Sequence, residues 1–235
     1  MRVNGSSSTP TTGSSSQDSQ RCVSLLVLLL VCVCVSSAEG VPCFPFSCSS
    51  SLHKTLQLTR ILHKETGALL KTYKAYQGEG VEFICQAQSE GVPEATVSGQ
   101  DWTERLMAVH GRLQEFAPHL RHIAEQQTDL QQAGSPLLAA LEQVQLRASG
   151  LLRRQHCLLQ LLLPNSVLEP PGPTGHPPPL PPPLNSFQQK AYGCSVLTRL
   201  RAFLSLSQKE LKALKGVACK RRTEQPANTA GLLGH

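Results

Sequence analysis

Apolar residues recur in steps of three and four along four segments of this chain. In the first, Leu52, Leu56, Leu62, Leu69, Tyr73 and Tyr76, with Thr59 and Thr66 between them, share one face of a helix over residues 50–77. Gly78 and Gly80 then end it, because glycine tolerates the left-handed backbone at a helix C-terminus. In the second, Trp102, Leu106, Val109, Leu113, Phe116, Leu120, Ile123 and Leu130 keep the same step. Asp101, with Glu104 three residues on, marks its capped start, and Pro118 predicts a kink. Gly134, Ser135 and Pro136 stop that helix and open a third, which carries Leu137, Leu141, Val144, Ala148, Leu151, Leu158 and Leu162 as far as Pro164. The fourth covers residues 187–215, with Leu197, Leu200, Leu204 and Leu211 inward. No segment alternates convincingly as a strand.

Each helix has about 25 residues and is therefore ~38 Å long. Four such rods, each with one apolar stripe, bury those stripes against one another, which predicts an all-α four-helix bundle. Connection length sets its topology. The second and third helices are joined by a few residues and must be antiparallel. Residues 78–100 and 164–186 are each 23 residues long, and a proline-rich spacer of that length reaches ~70 Å. Both have room to travel back along a helix, so the expected order is up-up-down-down with two long crossover loops.

The ends of the chain lack this periodicity. Residues 1–20 are rich in serine, threonine and glycine, and Arg21 precedes an apolar run of 14 residues, from Cys22 to Val35. That run is short for a bilayer span of ~20 residues. With Ser36, Ser37 and Ala38 behind it, it has the layout of a secretory signal peptide over residues 1–38. The expected product is a secreted, extracellular protein: a bundle domain over residues 39–219 and a disordered basic tail over residues 220–235, beginning Lys220-Arg221-Arg222. A signal-anchor retained in the membrane is the lesser reading. Once the signal is removed, no other segment suggests membrane insertion.

Of nine cysteines, three leave with the signal. Cys43, Cys48, Cys85, Cys157, Cys194 and Cys219 remain, an even number that implies disulfides in a secreted chain. In the expected topology Cys85 and Cys194 alone lie at the top of the bundle and should pair. The other four share the bottom, where Cys48–Cys157 with Cys43–Cys219 ranks above the swapped arrangement.

Charge excludes little. The net charge of +6 falls to about +5 without residues 1–38, which remove two arginines and one aspartate. Dedicated nucleic-acid binding would need a basic stripe with interleaved aromatics, which is absent. His119 and His122, with His110 earlier, have a spacing that permits metal binding, but no acidic or cysteine ligand accompanies them, so a solvated helix face is the expectation, with no metal and no cofactor. No G-x-S-x-G, H-E-x-x-H or phosphate loop is present, and the chain is not expected to be an enzyme. The run Pro177 to Leu184 suits a stiff crossover better than a ligand for proline-recognising domains.

The sharpest local feature is Asn185 to Cys194, NSFQQKAYGC, which follows nine prolines in residues 170–183. Ser186 and Gln189 have capping-box spacing, which makes Phe187 the first helical residue and Lys190 the fourth. At ~100° per residue Phe187 falls roughly 130° from the centre of the leucine stripe. No acidic residue between Ser186 and Arg201 offsets Lys190 at the positive helix end. An aromatic and a lysine on that edge, tied down at Cys194, suit an anchor in a partner's pocket; an equal reading folds Phe187 beneath the proline loop and leaves Lys190 as ordinary surface charge.

These residues resemble the long-chain helical cytokines of the leukaemia inhibitory factor, oncostatin M and ciliary neurotrophic factor group. The match lies in Cys48-Ser49-Ser50 with Tyr76-Gln77-Gly78, in His156-Cys157-Leu158, and above all in Phe187-Gln188-Gln189-Lys190 followed by Gly193-Cys194. Two departures stand out: Cys157 is alone late in the third helix, where leukaemia inhibitory factor has two cysteines, and Cys219 has no counterpart in the family pattern. The resemblance implies that Phe187 and Lys190 contact a receptor chain of the leukaemia inhibitory factor receptor type. It also implies a monomer that bridges this chain to a shared signalling chain and so triggers kinase and STAT signalling. Exposed faces of the first and third helices, with Arg60, Lys64, Lys71, Arg147 and Arg154, would meet the second chain. The alternative from another class is an extracellular lipid-binding bundle of amphipathic helices; three disulfides oppose the opening it would need.

Overall fold

The computed structural model describes residue 43, residues 47–87, 89–164 and 185–217, and residue 219. The chain divides into two units, Met1–Cys43 and Phe44–His235. The expected signal peptide, the polyproline crossover and the basic tail lie outside the described residues.

Among the described residues five helices occupy the second unit: α1 Cys48–Tyr76, α2 Val81–Gln86, α3 Trp102–Leu130, α4 Pro136–Leu162 and α5 Ser186–Leu214. The four long ones are those the periodicity predicts, and α2 is a short addition within the first crossover. Local chemistry fixes their starts. Ser47 and Ser135 accept a backbone N–H three residues on, from Ser50 and Leu138. Asp101 accepts from Thr103 and Glu104, while the Glu104 carboxylate accepts from Gln100 N. Helix α3 runs through Pro118 without a break. Gly78 (φ 86°) and Gly80 (φ 75°) take the left-handed turn that releases the chain from α1 and caps α2.

Packing follows from the stripes. Helix α1 lies against α4 and α5, and α3 against α4 and α5. The end of α1 meets the end of α3 through Gln77 and Gln127. It meets the start of α5 through Tyr73 and Gln189. The start of α3 meets the end of α5 through Arg105 and Glu210, 3.0 Å apart. Helices α1 and α3 therefore run one way and α4 and α5 the other, an up-up-down-down bundle.

One large core, including Leu62, Leu69, Phe116, Leu141, Leu197 and Phe203, fills the upper and middle bundle. A smaller cluster of Leu52, Leu56, Leu106, Leu158, Leu159, Leu211 and Leu214 closes the bottom. Thr55, Thr59 and Thr66 are fully buried on the α1 stripe. Each hydroxyl donates to the carbonyl four residues earlier, so none of the three is stranded.

The first crossover is fastened along α5. Cys85 bridges to Cys194, Arg199 donates to Val92 O at 2.7 Å and pairs with Glu94 at 3.0 Å, and Val92 enters the core. At the bottom, Cys48 bonds to Cys219. This replaces the expected Cys48–Cys157 and Cys43–Cys219 bridges; Cys43 and Cys157 are each disulfide-bonded. The reason is reach. Helix α1 begins at Cys48 itself, against the end of α5, and the turn after Leu214 carries Cys219 onto the lower core, with Cα atoms 5.6 Å apart.

Candidate functional site

The site grows from the first turn of α5. Its N-cap is Asn185, one residue earlier than the Ser186 expected. The Asn185 carboxamide accepts Gln188 N at 2.9 Å, and the Gln188 side chain accepts Asn185 N at 3.0 Å, completing a capping box. Asparagine and serine are nearly equivalent caps, so two adjacent candidates leave the register to their surroundings. Phe187 consequently sits at the second helical position, 46 % exposed. The benzyl group is not folded into the core.

Lys190 is half-buried and has a specific partner. Its Nζ donates to Gln77 O at 2.9 Å, at the C-terminus of α1. Unsatisfied carbonyls there carry the negative end of the α1 dipole. A cation unfavourable at the start of α5 is thus compensated by the antiparallel neighbour. An ammonium has three donors, so one hydrogen bond orients the group without exhausting it.

Beneath these two side chains lies a buried polar lattice. The Tyr73 hydroxyl reaches Gln189 O and Lys190 O at 3.4 and 3.3 Å, and receives Gln127 Nε2 at 3.4 Å. Gln77 Nε2 donates to Gln127 Oε1 at 3.0 Å, and Gln131 joins the same oxygen. Burial pushes the Tyr73 phenol well above its ordinary range, so it stays neutral. Gly193 makes the approach possible, since a Cβ there would overlap the Tyr73 hydroxyl. One turn deeper, the fully buried His119 Nδ1 meets the Tyr192 hydroxyl. Lattice, cap and Cys85–Cys194 bridge together hold the Phe187–Lys190 edge at one end of the bundle.

Two further aromatics are exposed on the elements that border this tip. Phe83, on α2, is 74 % exposed, and Tyr76 closes α1 at 39 %. Val81 and Cys85 of α2 turn toward the core, and the Lys74–Glu82 pair, 2.7 Å, ties α1 to α2. Phe83 is not legible in the sequence because a six-residue helix carries no readable period; its one signal is an aromatic two residues before Cys85.

Elsewhere the expected residues fare differently. Arg60, Lys64, Lys71 and Arg154 are exposed. Arg147 is instead paired across helices with Glu65 at 2.6 Å. Leu146 is 67 % exposed beside it. His110 and His119 are not on a solvated face: they are 6 % and 0 % exposed. Helix α3 packs against two neighbours, so its buried arc is wider than the leucine stripe. Among the described residues no group of three or more metal-ligating side chains gathers, and no helix is long and apolar enough to cross a membrane.

An up-up-down-down bundle with long crossovers, and with no strand among the described residues, is the architecture of the helical cytokines. The chain belongs to the LIF / OSM family, whose model matches residues 51–210. That family consists of signalling ligands rather than enzymes. The chain is 30% identical over 130 residues to cardiotrophin-2 of Mus musculus, covering 52% of this chain and 64% of that protein. It is 32% identical over 138 residues to cardiotrophin-2 of Pan troglodytes, covering 54% and 65%. It therefore spans just under two thirds of the length of these relatives. No solved structure matches it.

Proposed function

We propose that this chain is a secreted cytokine that signals by bridging two cell-surface receptor chains. The tip formed by Phe187 and Lys190 binds a chain of the leukaemia inhibitory factor receptor type. The outer faces of α1 and α4, with Arg60, Lys64, Lys71 and Arg154 and the exposed Ile61 and Leu146, meet a shared signalling chain. Juxtaposed receptor tails then activate their kinases and STAT proteins.

One observation carries this reading: an exposed phenylalanine and an oriented ammonium stand on a helix start that is capped, disulfide-tied and locked to α1. Docking on such an edge loses little side-chain entropy, and an aromatic anchor in a partner's pocket is typical of interface hot spots. Phe83 and Tyr76 extend the apolar surface on neighbouring elements. The lipid-binding alternative gains nothing, since it needs helices free to part.

The experiment is a biosensor titration of the purified protein against a panel of immobilised receptor ectodomains, with STAT phosphorylation in cells bearing the chain that binds. Binding to a leukaemia inhibitory factor receptor type ectodomain, weakened at least tenfold by Phe83→Ala and further by Phe187→Ala, is expected. Binding to none of the panel, or wild-type affinity in both variants, would overturn the assignment.

A further inference from the structure

Two neutral imidazoles are sealed inside the bundle on α3, one facing each of its packing partners. His110 looks onto α4, where its ring lies 6.1 Å from that of His156. Both its nitrogens, both amide atoms of the fully buried Gln155, and His156 Nδ1 are buried without hydrogen-bond partners. His119 looks onto α5, its Nδ1 on the Tyr192 hydroxyl and its Nε2 buried and unpartnered. The His122 ring stands edge-on to Tyr192 at 5.7 Å.

We propose that this histidine pair is an acid-sensitive latch, which holds α3 to α4 and α5 at neutral pH and lets go in a mildly acidic compartment. A proton on His110 would place a cation beside His156 with no counter-ion. A proton on His119 would do the same beside His122 and make both ring nitrogens donors, although Nε2 is buried with no acceptor. The groups facing His110 are Gln155 and His156 on α4. Those facing His119 are His122 on its own helix and Tyr192 on α5; Glu125 pairs with His122 at 3.7 Å and not with the buried ring. Among the described residues no carboxylate lies within ion-pair reach of either ring.

The sign follows from the burial. Desolvation lowers both rings from 6.5 to about 4; at His110 the neighbouring Gln155 amide opposes it, ahead of a smaller lowering from His156, and at His119 the neighbouring His122 adds to it. In the unfolded chain they take up protons near 6.5, so the unfolded or opened form binds more protons between those limits and stability falls as pH falls through that window. From pH 7 to pH 5 the opening equilibrium rises roughly 20-fold for each histidine. Tyr192 lies two residues beyond Lys190, so opening at His119 loosens the start of α5. That consequence for receptor release rests on the tip being a receptor contact.

Hydrogen–deuterium exchange of the full chain from pH 7.4 to 4.5, corrected for intrinsic rates, tests the latch. We expect α3 and the first turns of α5 to open far more often at pH 5 than at pH 7.4, with the rise largely abolished in His110→Gln/His119→Gln. Opening that is independent of pH, or a rise that persists unchanged in the double variant, would overturn it. Should that variant fail to fold, imidazole NMR of the unaltered chain decides: both rings must titrate well below 6.5, and ordinary titration sinks the proposal. None of these readouts uses a receptor. A chain that opens in acid yet binds no receptor at pH 7.4 would keep the latch and refute the receptor reading.

Discussion

At the scale of single residues, the tip depends on close contacts that allow few substitutions. Gly193 packs against the Tyr73 hydroxyl, which in turn meets the carbonyls of Gln189 and Lys190. Gly193→Ala should cost about 1–3 kcal/mol through overpacking, read as a fall in denaturation midpoint with unchanged slope, and should weaken receptor binding as the α5 start shifts. An unchanged midpoint would mean the two helices are less tightly set than described. On the proposed reading Lys190 has two tasks. Lys190→Met removes the ammonium that reaches Gln77 O, so a loss of stability of about 1 kcal/mol is expected, together with a much larger loss of receptor affinity. Equal free-energy losses in both assays would reduce Lys190 to a structural cap.

At the scale of elements, the helix bounds were legible because apolar steps and caps agree. A helix expected over residues 50–77 is Cys48–Tyr76, and one expected over 187–215 is Ser186–Leu214. The lower disulfides were not legible: the topology assigned four cysteines to one end and could not say which pair comes within 5.6 Å. Nor was the inward turn of His110 and His119, since a histidine beside a leucine stripe reads as surface until two packing partners widen the buried arc. The Cys85–Cys194 bridge closes a sequence separation of 109 residues. For a loop of that size, chain entropy in the unfolded state gives about 5 kcal/mol. Cys85→Ser/Cys194→Ser should therefore lower the melting temperature by many degrees, and exchange should show α2 and the α5 start loosening first. Uniform loosening would place the role of the bridge elsewhere.

At the scale of the whole molecule, two designs meet at α5. Its hydrophobic stripe belongs to the bundle core, while its first turn carries an edge that the core does not use. The up-up-down-down order brings the end of α1, the end of α3 and the start of α5 to one place, so Tyr73, Gln77, Gln127 and Lys190 join although they are far apart in sequence. The outward placement of Phe187 was legible from periodicity, although the cap is Asn185 and not the expected Ser186; the lattice beneath it was not, because its partners lie on different helices. The most direct test of the central claim compares the unaltered chain with Phe187→Ala in one pair of measurements: thermal melting, and affinity for a leukaemia inhibitory factor receptor type ectodomain. Melting within a degree or two and affinity lower by at least 30-fold, about 2 kcal/mol, is the predicted result; a ring whose loss melts the bundle, or leaves affinity intact, contradicts it.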